Sequence, residues 1–309
     1  MMKFAPIVLF TYCRPWHTQQ TVEALLRNVE AKDSELIIYS DAPKNEKAQK
    51  GVEETRNYIH SIKGFKSIQI IERKENWGLA KSLIDGITKV VNEYGRVIVV
   101  EDDIVTSPYF LQYMNDGLNL YADDEKVASI HGYHYPTKRK LPDMFFMRGS
   151  NCWGWATWSR AWKHFNPDAK ALLVEIKRRN LQKQFNHDGS YDYVQMLKDQ
   201  INGKISSWAI RWYASTFLDD LYTLYPGESL VYQNGMDGVG TTHSGKTIKF
   251  NVLLSNKPVQ MERIPIVHSK EADTAFKEFY LSLYSWRHRV KLAIKKTLYI
   301  LKIIVFQLC

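Results

Sequence analysis

The chain has 309 residues, 45% of them hydrophobic and 24% charged, which suffices for a full core in one large domain or two small ones. Its net charge of +9 is unevenly spread: from Phe279 to the end there are six Lys/Arg and no acid, leaving 36 basic against 33 acidic residues elsewhere. That near-balance excludes the body as a general polyanion or nucleic-acid binder, and three scattered cysteines with no CxxC exclude a disulfide framework or zinc site.

Odd, unpaired cysteines favour a reducing compartment, and Met1-Met2-Lys3 leads straight into a strand-like run with no secretory signal. Residues 6–11 are apolar and strand-like, and residues 17–29 carry Val22, Leu25, Leu26 and Val29 at helical spacing. A second strand is predicted over 36–40, a polar helix over 46–62 and a third strand over 67–71. A helix over 79–91 has Leu83, Ile84, Ile87, Val90 and Val91 on one side. The run Val97-Ile98-Val99-Val100 is then a fourth, buried strand. Strands alternating with helices predict a parallel sheet covered on both faces.

The polar residues just after these strands carry the functional expectation, since open α/β sheets take ligands beyond the carboxyl ends of their strands. Tyr12-Cys13-Arg14 follows strand one, Asp41 strand two, Glu72-Arg73 strand three, and Glu101-Asp102-Asp103 strand four. Three acids directly after an all-aliphatic strand repel one another and resist burial, so a positive partner is expected beside them. A divalent cation bridging to a phosphorylated ligand would suit, because Mg²⁺ and Mn²⁺ take oxygen ligands, often one or two carboxylates with substrate phosphates. Neither GxGxxG nor GxxxxGK[ST] occurs. Asn76-Trp77-Gly78-Leu79-Ala80-Lys81 opens the third helix instead, where backbone N–H groups could face a phosphate or Asn76 could simply cap the helix.

Beyond residue 105 the pattern changes. Strands are predicted over 127–130 and 144–148, followed by Cys152-Trp153-Gly154-Trp155-Ala156-Thr157-Trp158, a glycine-punctuated cluster that reads as a pocket wall for a sugar. Asp192 stands at the start of a helix running to about residue 201, a favoured place for a carboxylate and a candidate general base. Residues 232–244 are polar and glycine-rich, as expected of a mobile lid, with His243 a candidate metal or phosphate contact. Residues 287–308 mix basic with apolar side chains over too short an uncharged run to span a bilayer, and read as a helix lying on an anionic membrane surface.

Taken together, these residues resemble nucleotide-sugar glycosyltransferases of the GT-A fold, in particular bacterial sugar transferases related to the N-acetylglucosaminyltransferase that begins complex N-glycan synthesis. The resemblance covers about residues 5–245 and rests chiefly on Glu101-Asp102-Asp103, which matches that family's metal motif. It implies an α/β, Rossmann-like, mixed but mainly parallel sheet flanked by helices, with a C-terminal amphipathic helix. The domain limits that follow are 1–250 for the transferase, split at 104/105 into nucleotide- and acceptor-binding halves, then an extension over 251–286 and the basic helix over 287–309.

The resemblance also implies roles. Arg14, Asp41, Asp102, Trp153, Gly154 and Trp155 would bind the donor, joined by Asn76 and Lys81 as candidates from their place at the opening of the third helix. Asp103, with Glu101 and His243, would hold Mn²⁺ or Mg²⁺. Asp192 would be the base of an inverting transfer to a glycan or lipid-linked acceptor, with Asp188 as its alternative. A nucleotide sugar, UDP-linked, is the implied donor, surface polysaccharide synthesis at the inner face of the cell membrane the implied setting. Two rivals stand beside this. A sugar nucleotidyltransferase would want a glycine-rich basic loop after strand one, where this chain has Cys13-Arg14-Pro15-Trp16-His17. The other is an inactive, membrane-bound carbohydrate-binding homologue.

Overall fold

The computed structural model of the chain describes residues 4–238 and 247–284. Its first part alternates as the patterning predicts: β1 (Ile7–Thr11), α1 (Pro15–Leu26), β2 (Glu35–Ser40), α2 (Glu46–Ser61), β3 (Ser67–Glu72), α3 (Leu79–Tyr94) and β4 (Arg96–Glu101). β1, β2 and β4 are buried along almost their whole length, which is why they read as unbroken aliphatic runs. β3 lies at the sheet edge and is only partly covered. These four strands pair in parallel in the order β3-β2-β1-β4. The chain steps outward from β1 to β3 and returns to the other side of β1, so the strand order reverses between β1 and β4. The C-terminal ends of those two strands therefore flank the crevice in which such sheets take ligands.

The second part supplies β5 (Ile104–Thr106), α4 (Phe110–Leu120), β6 (Val127–His131), β7 (Met144–Arg148), β8 (Trp155–Trp158) and α5 (Ser159–Trp162). There follow α6 (Ala169–Arg178), α7 (Gln182–Phe185), α8 (Tyr193–Ile201), α9 (Trp208–Leu218), β9 (Tyr222–Pro226), β10 (Val231–Gln233) and α10 (Lys270–Ser282). β8 inserts antiparallel between β4 and β6, and β9 and β7 complete an eight-stranded sheet. The sheet is thus mixed, with four of its seven pairings parallel. β5 and β10 form a separate antiparallel pair.

Two cores result. The larger lines both faces of the sheet, and the smaller is built by Leu172, Leu173, Ile176, Phe185, Leu197, Ile210, Tyr213 and Phe217 from α6, α7, α8 and α9. The strand over 155–158 replaces the pocket wall expected of the tryptophan cluster. Trp155 is fully buried, its ring stacked on Trp208 at 5.5 Å and close to Trp162 and Trp212. Its place in a central strand, opposite Val99 on one side and His131 on the other, gives it no route to a ligand. Among the described residues no helix is long and apolar enough to cross a membrane.

Candidate active site

Arg14 leaves β1 at the point where the chain turns into α1, and Asp102 and Asp103 leave β4 beside it. The positive partner that the acidic triplet demands is this arginine. Its Nη2 donates to Asp102 Oδ1 and, at 2.9 Å, to Asp103 Oδ2, while Nε lies 3.3 Å from Asp102 Oδ2. All three side chains are largely buried. Thr21 in α1 donates to the Asp102 carbonyl at 2.9 Å and so fixes the turn from the other side.

One guanidinium cannot neutralise three carboxylates. Burial, then repulsion from Asp103 and Asp102, holds the Glu101 carboxyl well above the usual carboxylate range, with Arg14 pulling the other way. Burial likewise raises Asp102 against the pull of Arg14. Burial, and then the charges of Glu101 and Asp103, raise the thiol of Cys152.

The third wall was not legible as such. β10 pairs with β5 so that Gln233 lies opposite Ile104, and the Asn234 N–H donates to the Asp103 carbonyl at 2.9 Å. Gln233 Nε2 donates to Asp103 Oδ2 at 3.0 Å. Gly235 packs so tightly that a Cβ there would meet Asp103 Oδ2 at 2.2 Å and Arg14 Nη1 at 2.8 Å. Asp237 faces His17 Nε2 at 3.1 Å, tying the same segment to the first turn of α1. Residues 232–238 are therefore anchored, not a free lid. His243 and the basic segment over 287–309 lie outside the described residues.

A divalent cation is tested by the donors present. Gln233 Oε1 and Asn234 Oδ1 are buried and lack hydrogen-bond partners among the described residues, next to two carboxylates sharing one positive charge. Carboxylate and neutral amide oxygens are what a hard cation takes, and Mg²⁺-type sites complete their shell with phosphates and water. No group of three or more His, Cys, Asp or Glu side chains among the described residues forms a cage for a metal. The donor set fits a cation shared with substrate.

Asp41, expected at the nucleotide, is spent on the backbone. Its Oδ1 accepts from the N–H groups of Ala42 (3.0 Å) and Trp77 (2.9 Å), and its Oδ2 from Gly78 N–H (2.8 Å) and Asn76 Nδ2 (3.1 Å). Four donors fill a carboxylate. What it does in the fold is shape the 76–78 loop. Asn76 does not cap α3, whose N-cap is Gly78 at φ 72°. Lys81 is exposed, with its ammonium 4.2 Å from the centre of the Trp77 ring, and Arg73 lies 3.8 Å from the same ring. A surface groove of about 750 Å³ runs from Trp77 and Lys81 along α3 to Gln200 and Arg211, apart from the acidic triplet.

Trp153 is half-buried, edge-on to Tyr133 (4.7 Å) and Phe250 (5.6 Å). Gly154, at φ 60°, sits where a Cβ would strike Val231 at 2.7 Å, so it serves packing and offers no surface to a ligand. Asp192 caps α8, its Oδ1 accepting from Gln195 N–H at 3.0 Å and Asn186 Nδ2 at 3.1 Å. Asp188 pairs with Lys277 at 2.5 Å.

The glycosyl transferase family 2 model matches residues 7–171. The chain belongs to glycosyl transferase family 2. The match takes in Arg14, Asp41 and the whole acidic triplet. Solved structures with a similar fold include S. aureus TarS, at 13% identity and a TM-score of 0.39 over 76% of this chain and 37% of that one. Another is the mannosyltransferase PcManGT from Pyrobaculum calidifontis in complex with GDP-Man and Mn²⁺, at 8% identity and a TM-score of 0.41 over 70% and 69%. The chain thus spans little more than a third of the length of TarS. A search of curated proteins gave no match.

Proposed function

We propose that this glycosyltransferase moves a sugar from a nucleoside diphosphate, UDP in the first instance, to a hydroxyl of a glycan or lipid-linked acceptor, with inversion and with the help of Mn²⁺ or Mg²⁺. The observation that carries the reading is the Arg14–Asp102–Asp103 cluster at the reversal of strand order, bordered by two amide oxygens with no hydrogen-bond partner among the described residues.

Asp102 and Asp103, with Gln233 and Asn234, would hold the cation, which when bound supplies charge to neutralise the departing diphosphate. Arg14, freed from one carboxylate, would turn its fork to a phosphate, a match for its planar donors. The 76–78 loop held by Asp41 would face the nucleoside. Trp153, as the partly exposed member of its cluster, would border the sugar. Asp192, anchored through Oδ1 and with no hydrogen-bond partner at Oδ2 among the described residues, would take the acceptor proton through that oxygen. Carboxylates nearby would stabilise positive charge developing at the sugar.

Release of nucleoside diphosphate from UDP-glucose, UDP-N-acetylglucosamine and GDP-mannose, with Mn²⁺ or with chelator, tests the reading. Asp103→Ala should lose cation-dependent turnover and keep the fold. Turnover that is indifferent to both chelation and Asp103 would sink it. The basic composition of residues 287–309 supports work at an anionic membrane face. Failure of the full chain to sediment with phosphatidylserine vesicles at low salt would remove that part.

A further inference from the structure

The segment over 186–193 is bent against its own preference. His187 (φ 45°) and Asp188 (φ 56°) are adjacent non-glycine residues in the left-handed region, followed by Gly189 at φ 87°. Such conformations persist only where the surroundings over-determine them, and they gather at functional sites. Here the surroundings are one face of α10. Asp273 faces His187 Nδ1 at 3.1 Å, and Lys277 donates to Asp188 and Asp273, each at 2.5 Å. The Tyr280 hydroxyl meets that of Tyr193 at 3.1 Å. Positions 273, 277 and 280 are one helical stripe, and they take hold of residues 187, 188 and 193 in turn.

Two observations show the grip to be firm. Burial raises the Asp273 carboxyl, but His187 at 3.1 Å and Lys277 at 2.5 Å, with His268 further off at 3.7 Å, outweigh it and hold that group far below the carboxylate range. On the inner side the Tyr213 hydroxyl reaches His187 Nε2 at 3.3 Å. The bent segment leads directly to Asp192, and its Asn186 holds Asp192 Oδ1. The same stripe reaches inward as well: Tyr280 packs 5.3 Å from Tyr135, whose hydroxyl accepts from Asn151 Nδ2 at 2.5 Å. α10 lies outside the span matched by the family model.

We propose that α10 is a clamp that sets Asp192 for catalysis, with Asp273, Lys277 and Tyr280 as positioning residues that never touch substrate. The proposal rests on Asp192 being the base. Its function is to keep one carboxylate oxygen tied to Asn186 and Gln195 so that the other is presented in one orientation. Orientation errors of about 1 Å can cost a catalytic group about 100-fold.

The test uses the full chain with Mn²⁺ and whichever of UDP-glucose, UDP-N-acetylglucosamine or GDP-mannose it turns over, water standing in for the acceptor. Lys277→Met should lower kcat by about 10- to 100-fold with the donor KM within about twofold, and speed amide exchange over residues 186–194. Lys277→Arg should restore most of the rate. In an Asp192→Asn background, Lys277→Met should cost nothing further, because residues acting through one group are not additive. Full activity of Lys277→Met beside a dead Asp192→Asn would overturn the clamp and leave the base standing. So would equal losses in Lys277→Met and Lys277→Arg with the melting temperature and KM moving together, the mark of a general structural role. Full activity of Asp192→Asn would instead overturn the base, and with it the purpose of the clamp.

Discussion

Arg14 Nη2 stands 2.9 Å from Asp103 Oδ2, joining the C-terminal ends of β1 and β4 across the reversal of strand order. The guanidinium sits on the oxygens that a divalent cation would want. On the proposed mechanism, Arg14 and the cation would compete until a diphosphate arrives to take the arginine. Arg14→Gln removes the only positive charge hydrogen-bonded to Asp102 and Asp103 among the described residues and leaves two buried carboxylates uncompensated, a loss of about 3–5 kcal/mol in stability. Added Mn²⁺ should then raise the melting temperature of the variant without nucleotide, since a ligand bound only to the native state stabilises it. Wild type should respond mainly to Mn²⁺ and UDP together. A wild type that gains as much from Mn²⁺ alone as the variant does would count against the competition.

Gly235 offers a probe that alters no charge. An alanine methyl there would press on Asp103 Oδ2 and Arg14 Nη1, which hold each other in the largely buried pair. Gly235→Ala should therefore cost about 1–3 kcal/mol in denaturant stability, less than the loss of Arg14, while lowering cation-dependent turnover tenfold or more, as expected when reacting groups are misplaced by an ångström. Undiminished turnover would place the functional cation elsewhere.

Asp41 should prove to be a stability residue first. Its removal strands the N–H groups of Trp77 and Gly78 and leaves the Asn76 amide with the Ala42 carbonyl alone, in a site where Asp41 is 6% exposed. Leaving buried donors unpaired costs roughly 1–3 kcal/mol each, so Asp41→Ala should lower stability by about 2–4 kcal/mol and quicken amide exchange at the start of α3. A fall in nucleotide affinity with neither change would return Asp41 to direct contact with the base.

These residues mark what could be read from the sequence. The acidic triplet was legible because an aliphatic strand running into three acids is chemically improbable without a cation, and the strand-by-strand reading put Arg14 and Asp103 at the same sheet edge. Asp41 was found for its place after β2, but three of its four partners belong to a loop that begins 35 residues on. Trp155 and Trp153 look alike in sequence, and only the antiparallel insertion of β8 makes one core and the other border. The approach of residues 233–237 to the triplet depends on pairing across more than a hundred residues, which no local pattern encodes. The same holds for the contact of α10 with the 186–193 segment.

His131 supplies a prediction in pH. It lies in β6, fully buried, with its ring 4.9 Å from that of Tyr225 and neither ring nitrogen hydrogen-bonded among the described residues. Burial, and then the nearby His134, lower its pKa to about 3, so it stays neutral in the folded chain over the range where the unfolded chain takes up a proton. Below about 6.5 the unfolded state binds more protons than the native one, and stability must fall as the pH falls through that window towards 3. From pH 7 to pH 5 this one group should cost wild type about 2 kcal/mol. His131→Leu keeps an apolar side chain in the slot and cannot protonate, so its urea midpoint should drop less over the same interval. Parallel losses in the two proteins would mean that His131 takes up its proton in the folded chain as it does in the unfolded one.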